Sequence, residues 1–244
     1  MLAALVNTMR EPLIIAIDGP AGAGKSTVAQ TLARRLGLTY VDSGATYRAA
    51  ALKVLEEGVS PDDQRSVILV IARAAIELQT QPLHLRISLD GRDVTEKIRS
   101  PEVTLAAAKI SRLPEVRAKL IALQRNFARG LGVVMEGRDI GTVVFPRAPL
   151  KIFLTARPEE RARRRLSDEA GKGREATLEQ TAYEIGRRDQ LDAERKVSPL
   201  LAAPDACSID STGLAASEVV ERILKLARER NLILGESETK EVKP

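Results

Sequence analysis

Eight consecutive residues, Gly19-Pro20-Ala21-Gly22-Ala23-Gly24-Lys25-Ser26, have the spacing glycine, four residues, glycine, lysine, serine, the pattern of a phosphate-binding loop. Without side chains at Gly19, Gly22 and Gly24, the backbone can curl until successive amide hydrogens converge on phosphate oxygens. A helix starting near Lys25 adds the positive end of its dipole. Lys25 is then expected to reach the β and γ phosphates, and the Ser26 hydroxyl to bind a magnesium ion bridging them. The predicted triphosphate site runs from Gly19 through Thr27.

The loop alone does not define a reaction, because GTPases, transport ATPases, nucleic-acid motors and small-molecule kinases share it. The chain has no Asn-Lys-x-Asp guanine-reading motif. Its apolar run Val133 to Met135 leads into Glu136-Gly137-Arg138-Asp139 rather than a tandem acidic pair. Both features argue against a switch or a motor.

A second cluster is basic. On a helix predicted from Thr177, Arg188, Asp192 and Arg195 lie at offsets of four and seven, within an arc of ~60°. Two guanidinium groups there can grip phosphate bidentately while the carboxylate between them accepts from ribose hydroxyls. The same spacing also describes a solvated helix face with i, i+4 pairing. Further upstream, Arg161, Arg164 and Arg165 share one side of a predicted helix, with Arg163 beside them. They form either a charged surface or a set able to close onto phosphates.

These residues need a scaffold. Leu13 to Ile17 is a continuous apolar run, read as a strand buried on both faces. From Lys25 to Leu36, Val28, Ala29, Leu32, Ala33 and Leu36 recur at helical spacing, and Gly37 stops the helix. Apolar runs at Leu131 to Met135, Leu150 to Leu154 and Ala206 to Ile209 alternate with helical patterns at Pro114 to Arg129, Pro158 to Ser167, Thr177 to Asp192 and Ala215 to Arg230. That rhythm predicts an α/β protein, a parallel sheet flanked by helices. One stretch departs from it. Ile76 to Thr80 and Leu83 to Leu89 read as short strands, with Asp90-Gly91 as a tight turn before Arg92 to Val94, hence a small antiparallel insertion. Gly171-Lys172-Gly173 is expected to be a mobile surface loop, and the polar tail over 233–244 to be disordered.

Composition narrows the partners. The chain has 244 residues, 44% hydrophobic and 29% charged, with a net charge of +5; this fits one globular unit and anionic ligands. Three Phe, three Tyr and no Trp leave little to stack on bases, so a small phosphorylated ligand is favoured over nucleic acid. The single Cys207, expected in the core, cannot make an internal disulfide, and the single His84 cannot build a His-rich metal site. The longest apolar run, Val67 to Ala72, falls far short of the ~20 residues that span a bilayer. A cytoplasmic protein is expected, neither secreted nor bound in a membrane.

Four motifs in order carry a resemblance. The phosphate loop is followed by Val41-Asp42-Ser43-Gly44-Ala45-Thr46-Tyr47-Arg48, then Glu136-Gly137-Arg138-Asp139-Ile140-Gly141-Thr142, then Arg188-Asp189-x-x-Asp192-x-x-Arg195 with Pro199-Leu200. Together with Asp90-Gly91-Arg92-Asp93-Val94 and Ile98-Arg99 in the insertion, the chain resembles the bacterial cytidylate kinases from about Leu13 to Arg230. The resemblance implies a P-loop nucleoside monophosphate kinase fold. Its core would comprise 12–42, 131–157 and 194–232, its monophosphate-binding part, enlarged by the insertion, 43–130, and its lid 158–193. It also implies transfer of the γ-phosphoryl of Mg-ATP to CMP or dCMP in pyrimidine nucleotide metabolism, by a monomer.

The resemblance further implies residue roles. Ser43, Tyr47, Arg48 and Arg138 would hold the acceptor phosphate; Arg188 and Arg195 would touch phosphate or sugar, and Asp192 the ribose. Lys25, Arg138, Arg188, Arg161 and Arg165 form the expected catalytic set. Such a reaction needs alignment and charge cancellation, and the acceptor phosphate is already ionised, so no general base is required. Cytosine offers an amino donor and the acceptors N3 and O2, which suits a carboxylate beside an arginine; Asp139 and Arg117 match the positions that read it. From the residues alone, Arg117 could equally pair with Glu115, Asp139 cap a helix, and Tyr47 pack in the core. Where the family commonly has a serine at the base, this chain has Ala108. The rival readings are a kinase preferring UMP and a P-loop ATPase acting on nucleic acid.

Overall fold

The computed structural model describes residues 12–80, 85–171, 176–193 and 198–234. Its centre is strand β1 (Ile14–Asp18), buried from Ile15 onward. Alternation along the strand sends Ile15 and Ile17 to one face and Ala16 to the other. Helix α1 (Lys25–Leu36) packs its apolar stripe of Val28, Ala29 and Leu32 on the first face. Gly37, in the left-handed conformation at φ 66°, ends the helix by donating to the Ala33 carbonyl.

Strand β2 (Thr39–Asp42) leads into α2 (Ser43–Glu56) and α3 (Gln64–Arg73). Three short strands follow, β3 (Ile76–Thr80), β4 (Leu85–Leu89) and β5 (Arg92–Asp93). They form the expected antiparallel sheet in the order β3-β4-β5. Asp90 at φ 49° and Gly91 at φ 77° supply the two positive φ angles that a tight hairpin turn requires. The start of the second predicted strand, with His84, lies outside the described residues. Ala49, Ala50 and Ala51 on α2 are fully buried against Ile87, Leu89 and Ile110, small side chains that let the insertion approach closely.

Helices α4 (Pro101–Ile110) and α5 (Pro114–Phe127) precede β6 (Val133–Gly137), a π-helical turn over Ile140–Val144, and β7 (Leu150–Thr155). Then come α6 (Pro158–Ala170), α7 (Leu178–Ala193), β8 (Cys207–Asp210) and α8 (Ala216–Glu229). The main sheet is parallel throughout, in the order β2-β6-β1-β7-β8, as the alternating rhythm predicted. Helices α1 and α8 cover one face, with Val220 and Ile223 in the same cluster as Leu32. Met135, Ile140 and Val144 fill the other face with partly buried Ile121 and Phe127 of α5. Cys207, expected in the core, is only half-buried and accepts from Arg230. The predicted loop at Gly171-Lys172-Gly173 is described only at Gly171, and the predicted tail only through residue 234.

Candidate active site

The phosphate loop leaves the carboxyl end of β1, where open parallel sheets characteristically bind ligands. Gly19 sits at φ 147°, and a Cβ there would lie 2.0 Å from the Leu154 carbonyl oxygen. At Gly22, φ 76°, a Cβ would meet the Arg161 carbonyl oxygen at 2.8 Å. Glycine is therefore required twice, by backbone angle and by the closeness of β7 and α6. Gly24 supplies the left-handed N-cap of α1 at φ 87°. Lys25 is buried and folds back over the loop, its Nζ donating to Pro20 O at 2.7 Å. Ser26 and Thr27 stand exposed at the first turn of α1.

The arginines of α6 brace this loop. The Arg161 guanidinium donates to Ala21 O at 3.1 Å and pairs with Asp189 of α7. Arg164 donates to the Ser211 hydroxyl at 2.9 Å, to its carbonyl at 2.7 Å and to Glu160 at 3.0 Å. Arg165 is half-exposed and Arg163 exposed. Between Arg164 and the loop lies a cleft of about 120 Å³, lined in part by Ala23, Gly24, Thr27, Ser211 and Leu214. Ser211 and Leu214 carry no motif and were missed in the sequence.

Buried ion pairs join elements far apart in the chain. Arg117 of α5 pairs with Asp139, both nearly inaccessible, and donates to Ser111 O at 3.3 Å. Its guanidinium lies 5.6 Å from the centre of the Tyr47 ring, within reach of a cation–π interaction. Tyr47 thus packs on the insertion core and also supports Arg117. Arg117 pairs with Asp139 rather than Glu115, and Asp139, at the N-cap of the π-helical turn, makes no side-chain cap. Arg138 donates to Asp192 of α7 at 2.7 Å, and Asp192 is 1% exposed. Arg48 donates to Asp42 at 2.6 Å, and Ser43 to Glu136 O at 2.7 Å. Burial alone would push Asp42 up, but the adjoining Arg48 guanidinium outweighs it and holds the carboxyl below its usual range. Of the three residues expected on one helix face, Asp192 is buried on α7 and paired with Arg138. Arg195 and the Arg188 side chain lie outside the described residues.

Two carboxylates escaped the sequence reading. Glu136, at the end of β6, is buried, accepts from the Tyr40 hydroxyl at 2.6 Å and bonds the Ser26 hydroxyl. Burial, with Asp42 nearby, raises its pKa. Asp18, the last residue of β1, accepts from the Ile140 and Gly141 amides at 2.8 and 2.7 Å. Burial pushes its pKa up to about 6 despite those two bonds. Their position at carboxyl ends of central strands beside a phosphate loop was the available signal.

The arrangement offers ammonium, guanidinium and amide hydrogens beside the buried carboxylates Asp18 and Glu136. Among the described residues, no group of three or more His, Cys, Asp and Glu is able to hold a metal ion. This chemistry suits charge cancellation between phosphates.

A family model described as cytidylate kinase matches residues 15–229. The cytidylate kinase of Pelotomaculum thermopropionicum is 51% identical over 211 residues, covering 86% of this chain and 93% of that protein. That of Caldanaerobacter subterraneus subsp. tengcongensis is 50% identical over 214 residues, 88% of this chain and 94% of the relative. A Geobacillus cytidylate kinase is 47% identical over 222 residues, 91% of this chain and 99% of the relative. On that family model and those relatives, the chain belongs to the cytidylate kinase family.

Proposed function

We propose that this ATP-dependent kinase of CMP and dCMP works by clamping two nucleotides between the Gly19–Thr27 loop and the arginine–aspartate pairs facing it. Family membership makes ATP the phosphoryl donor and CMP or dCMP the acceptor. An ionised oxygen of the acceptor phosphate attacks the γ-phosphorus, the bond to the β-phosphate oxygen breaks, and ADP leaves with a cytidine diphosphate. Neither step requires a protein base.

Gly19, Pro20, Ala21, Gly22, Ala23 and Gly24 present amides to the triphosphate. Lys25 exchanges its bond to Pro20 O for the β and γ phosphates. Ser26 and Glu136 are hydrogen-bonded to one another, and a hydroxyl and a carboxylate are the oxygen donors that magnesium takes alongside phosphates and water. They fit that ion and would hold it, and it would supply positive charge that offsets the phosphates. Ser43, Arg48 and Arg138 hold the acceptor phosphate with Arg188 and Arg195, and Asp192 takes the ribose. The segment 158–193 acts as a lid, its Arg161 and Arg165 closing on the donor and excluding water. The cleft beside Ser211 and Leu214 receives the donor nucleoside.

The buried Arg117–Asp139 pair carries the choice of base. Its carboxylate accepts from the cytosine amino group, and its guanidinium donates to N3 or O2. Uracil carries an acceptor where cytosine has that amino group, so Asp139 would face oxygen. Ala108, one helical turn before Ser111 on α4, favours the second reading, a relaxed preference that admits UMP. A coupled assay with CMP, dCMP, UMP and AMP as separate acceptors distinguishes them. Fast turnover of the two cytidine nucleotides alone is expected, and equal turnover of UMP would overturn the cytosine assignment.

The same reading makes the protein a cytoplasmic monomer with no nucleic-acid partner. Among the described residues no helix is long and apolar enough to cross a membrane, and the chain has six Phe and Tyr and no Trp.

A further inference from the structure

Asp18 is nearly inaccessible and lies outside every group assigned above to a substrate. Its two oxygens accept from consecutive amides, Ile140 N at 2.8 Å and Gly141 N at 2.7 Å. Those amides open the π-helical turn, whose own bonds begin with Val143 N and Val144 N donating to Asp139 O at 2.8 and 3.1 Å. The first amides of a helical turn lack partners within it, and the residue at the N-cap ordinarily supplies a side-chain acceptor. Here the N-cap residue is Asp139, and its carboxylate is committed to Arg117. The cap comes instead from another strand.

The joint is tight. Asp18 sits opposite Gly137 in the parallel register of β1 and β6. A Cβ on Gly141 would meet Lys151 Cδ at 3.1 Å and the Asp18 carboxylate at 3.4 Å. Asp18 is also bonded covalently to Gly19, the first residue of the phosphate loop. One side chain therefore ties the start of the donor loop to the segment carrying Arg138 and Asp139.

We propose that Asp18 is a positioning residue for acceptor recognition: by capping the Ile140–Val144 turn from β1, it leaves the Asp139 carboxylate to Arg117 and to the base, and fixes that reader relative to the phosphate loop. The inference rests on the reading of Arg117 and Asp139 as the base-reading pair. An ordinary buried aspartate would be neutralised or paired with a cation. Lys25 and Asp139 both act on this carboxylate electrostatically, yet its hydrogen bonds go to the backbone of the turn. A carboxamide of the same shape can accept only one of the two amide bonds, and it turns an NH2 toward the other donor.

The test is Asp18→Asn in the full-length protein, with steady-state kinetics for CMP, UMP and ATP and a titration with trinitrophenyl-ATP. The KM for CMP is expected to rise about tenfold, as the loss of one charge-assisted bond implies, and the CMP-over-UMP preference to fall by a similar factor. Affinity for the ATP probe should stay within about twofold. An unchanged CMP preference, or an equal loss of affinity for both nucleotides, overturns the inference. Wild-type protein assayed alongside separates the two levels: if it has no preference for CMP, the base-reading assignment fails and takes this inference with it. If wild type has the preference and the variant keeps it, the inference alone fails. Should Asp18→Asn not fold, Gly141→Ala presses on the same joint from the turn side, and a loss of about threefold in preference is expected. Full retention of the preference there overturns the proposal equally.

Discussion

On the side proposed for the donor, one run of residues from Gly19 to Thr27 supplies backbone amides and the Lys25 ammonium, and Gly19 and Gly22 must lack side chains. On the side proposed for the acceptor, the ion pairs join separate elements. Arg117 comes from α5 and Asp139 from the turn after β6; Arg138 comes from that turn and Asp192 from α7. A backbone site is built once the strand and helix around it form. A site of buried ion pairs requires the tertiary fold, and each pair leaves an uncompensated charge if one partner is lost. The two halves should therefore fail differently when mutated. Donor-side changes should lower the rate with only a modest loss of stability, and acceptor-side changes should affect binding and stability together.

The largest test of that contrast is Lys25→Ala. Removing the one ammonium that folds over the loop should cut phosphoryl transfer by about 10³-fold. Calorimetric CMP affinity should stay close to wild type, while stability falls modestly, because the buried Lys25 ammonium also offsets the charge of Asp18 and Glu136. Near-normal turnover would contradict its role. On the other side, Arg117→Ala should raise the KM for CMP about 100-fold and cost about 3–5 kcal/mol of stability by stranding Asp139. Denaturant unfolding reads the second effect. The double variant Arg117→Met with Asp139→Leu should recover most of that stability without recovering CMP turnover. Recovery of both would mean that the pair serves folding alone.

The same contrast governs what the sequence revealed. The parallel sheet, the phosphate loop and the antiparallel insertion were legible because strand runs, glycine spacing and Asp90-Gly91 act locally. The partners of the arginines were not. Arg117 could have paired with Glu115, two residues away, and its choice of Asp139 depends on α5 packing across β6. In sequence, Asp18 is simply the residue after the apolar run Leu13 to Ile17. That it caps a turn beginning at Ile140 follows from the β1–β6 register, which periodicity does not fix. Ser211 and Leu214 reach the loop through β8, whose place at the sheet edge beyond β7 no local signal specifies. The motif resemblance named Arg117, Asp139, Arg138 and Asp192 without saying how they would pair.

Asp18 sharpens the comparison because it belongs to both halves. Its pKa is about 6 in the folded chain against 3.8 for the unperturbed group, so between these values the native state binds more protons than the unfolded state. Stability from this group is present below about pH 4 and lost as pH rises through about 6, up to about 3 kcal/mol in all. Relative to Asp18→Asn, wild-type protein should lose that amount between about pH 4 and pH 7 in urea unfolding. The difference between the two proteins cancels the titration of unrelated groups. A flat difference would show that the amides of Ile140 and Gly141 fully offset the burial of the carboxylate.

The smallest effect is expected from Ala108→Ser. Ala108 is half-buried on α4, and its carbonyl accepts from the Ser111 hydroxyl at 2.9 Å, while the Ser111 carbonyl accepts from Arg117. The methyl group at 108 therefore sits one helical turn from a direct partner of Arg117, the arginine proposed to read the base. A hydroxyl added there brings one more donor or acceptor into that region and should raise the CMP-over-UMP ratio by about two- to fivefold, the value of one neutral hydrogen bond. Stability should change by less than about 0.5 kcal/mol, because a half-buried helical position tolerates either residue. If the ratio does not move, Arg117 and Asp139 set base choice without help from α4, and acceptor recognition reduces to buried charge pairs alone.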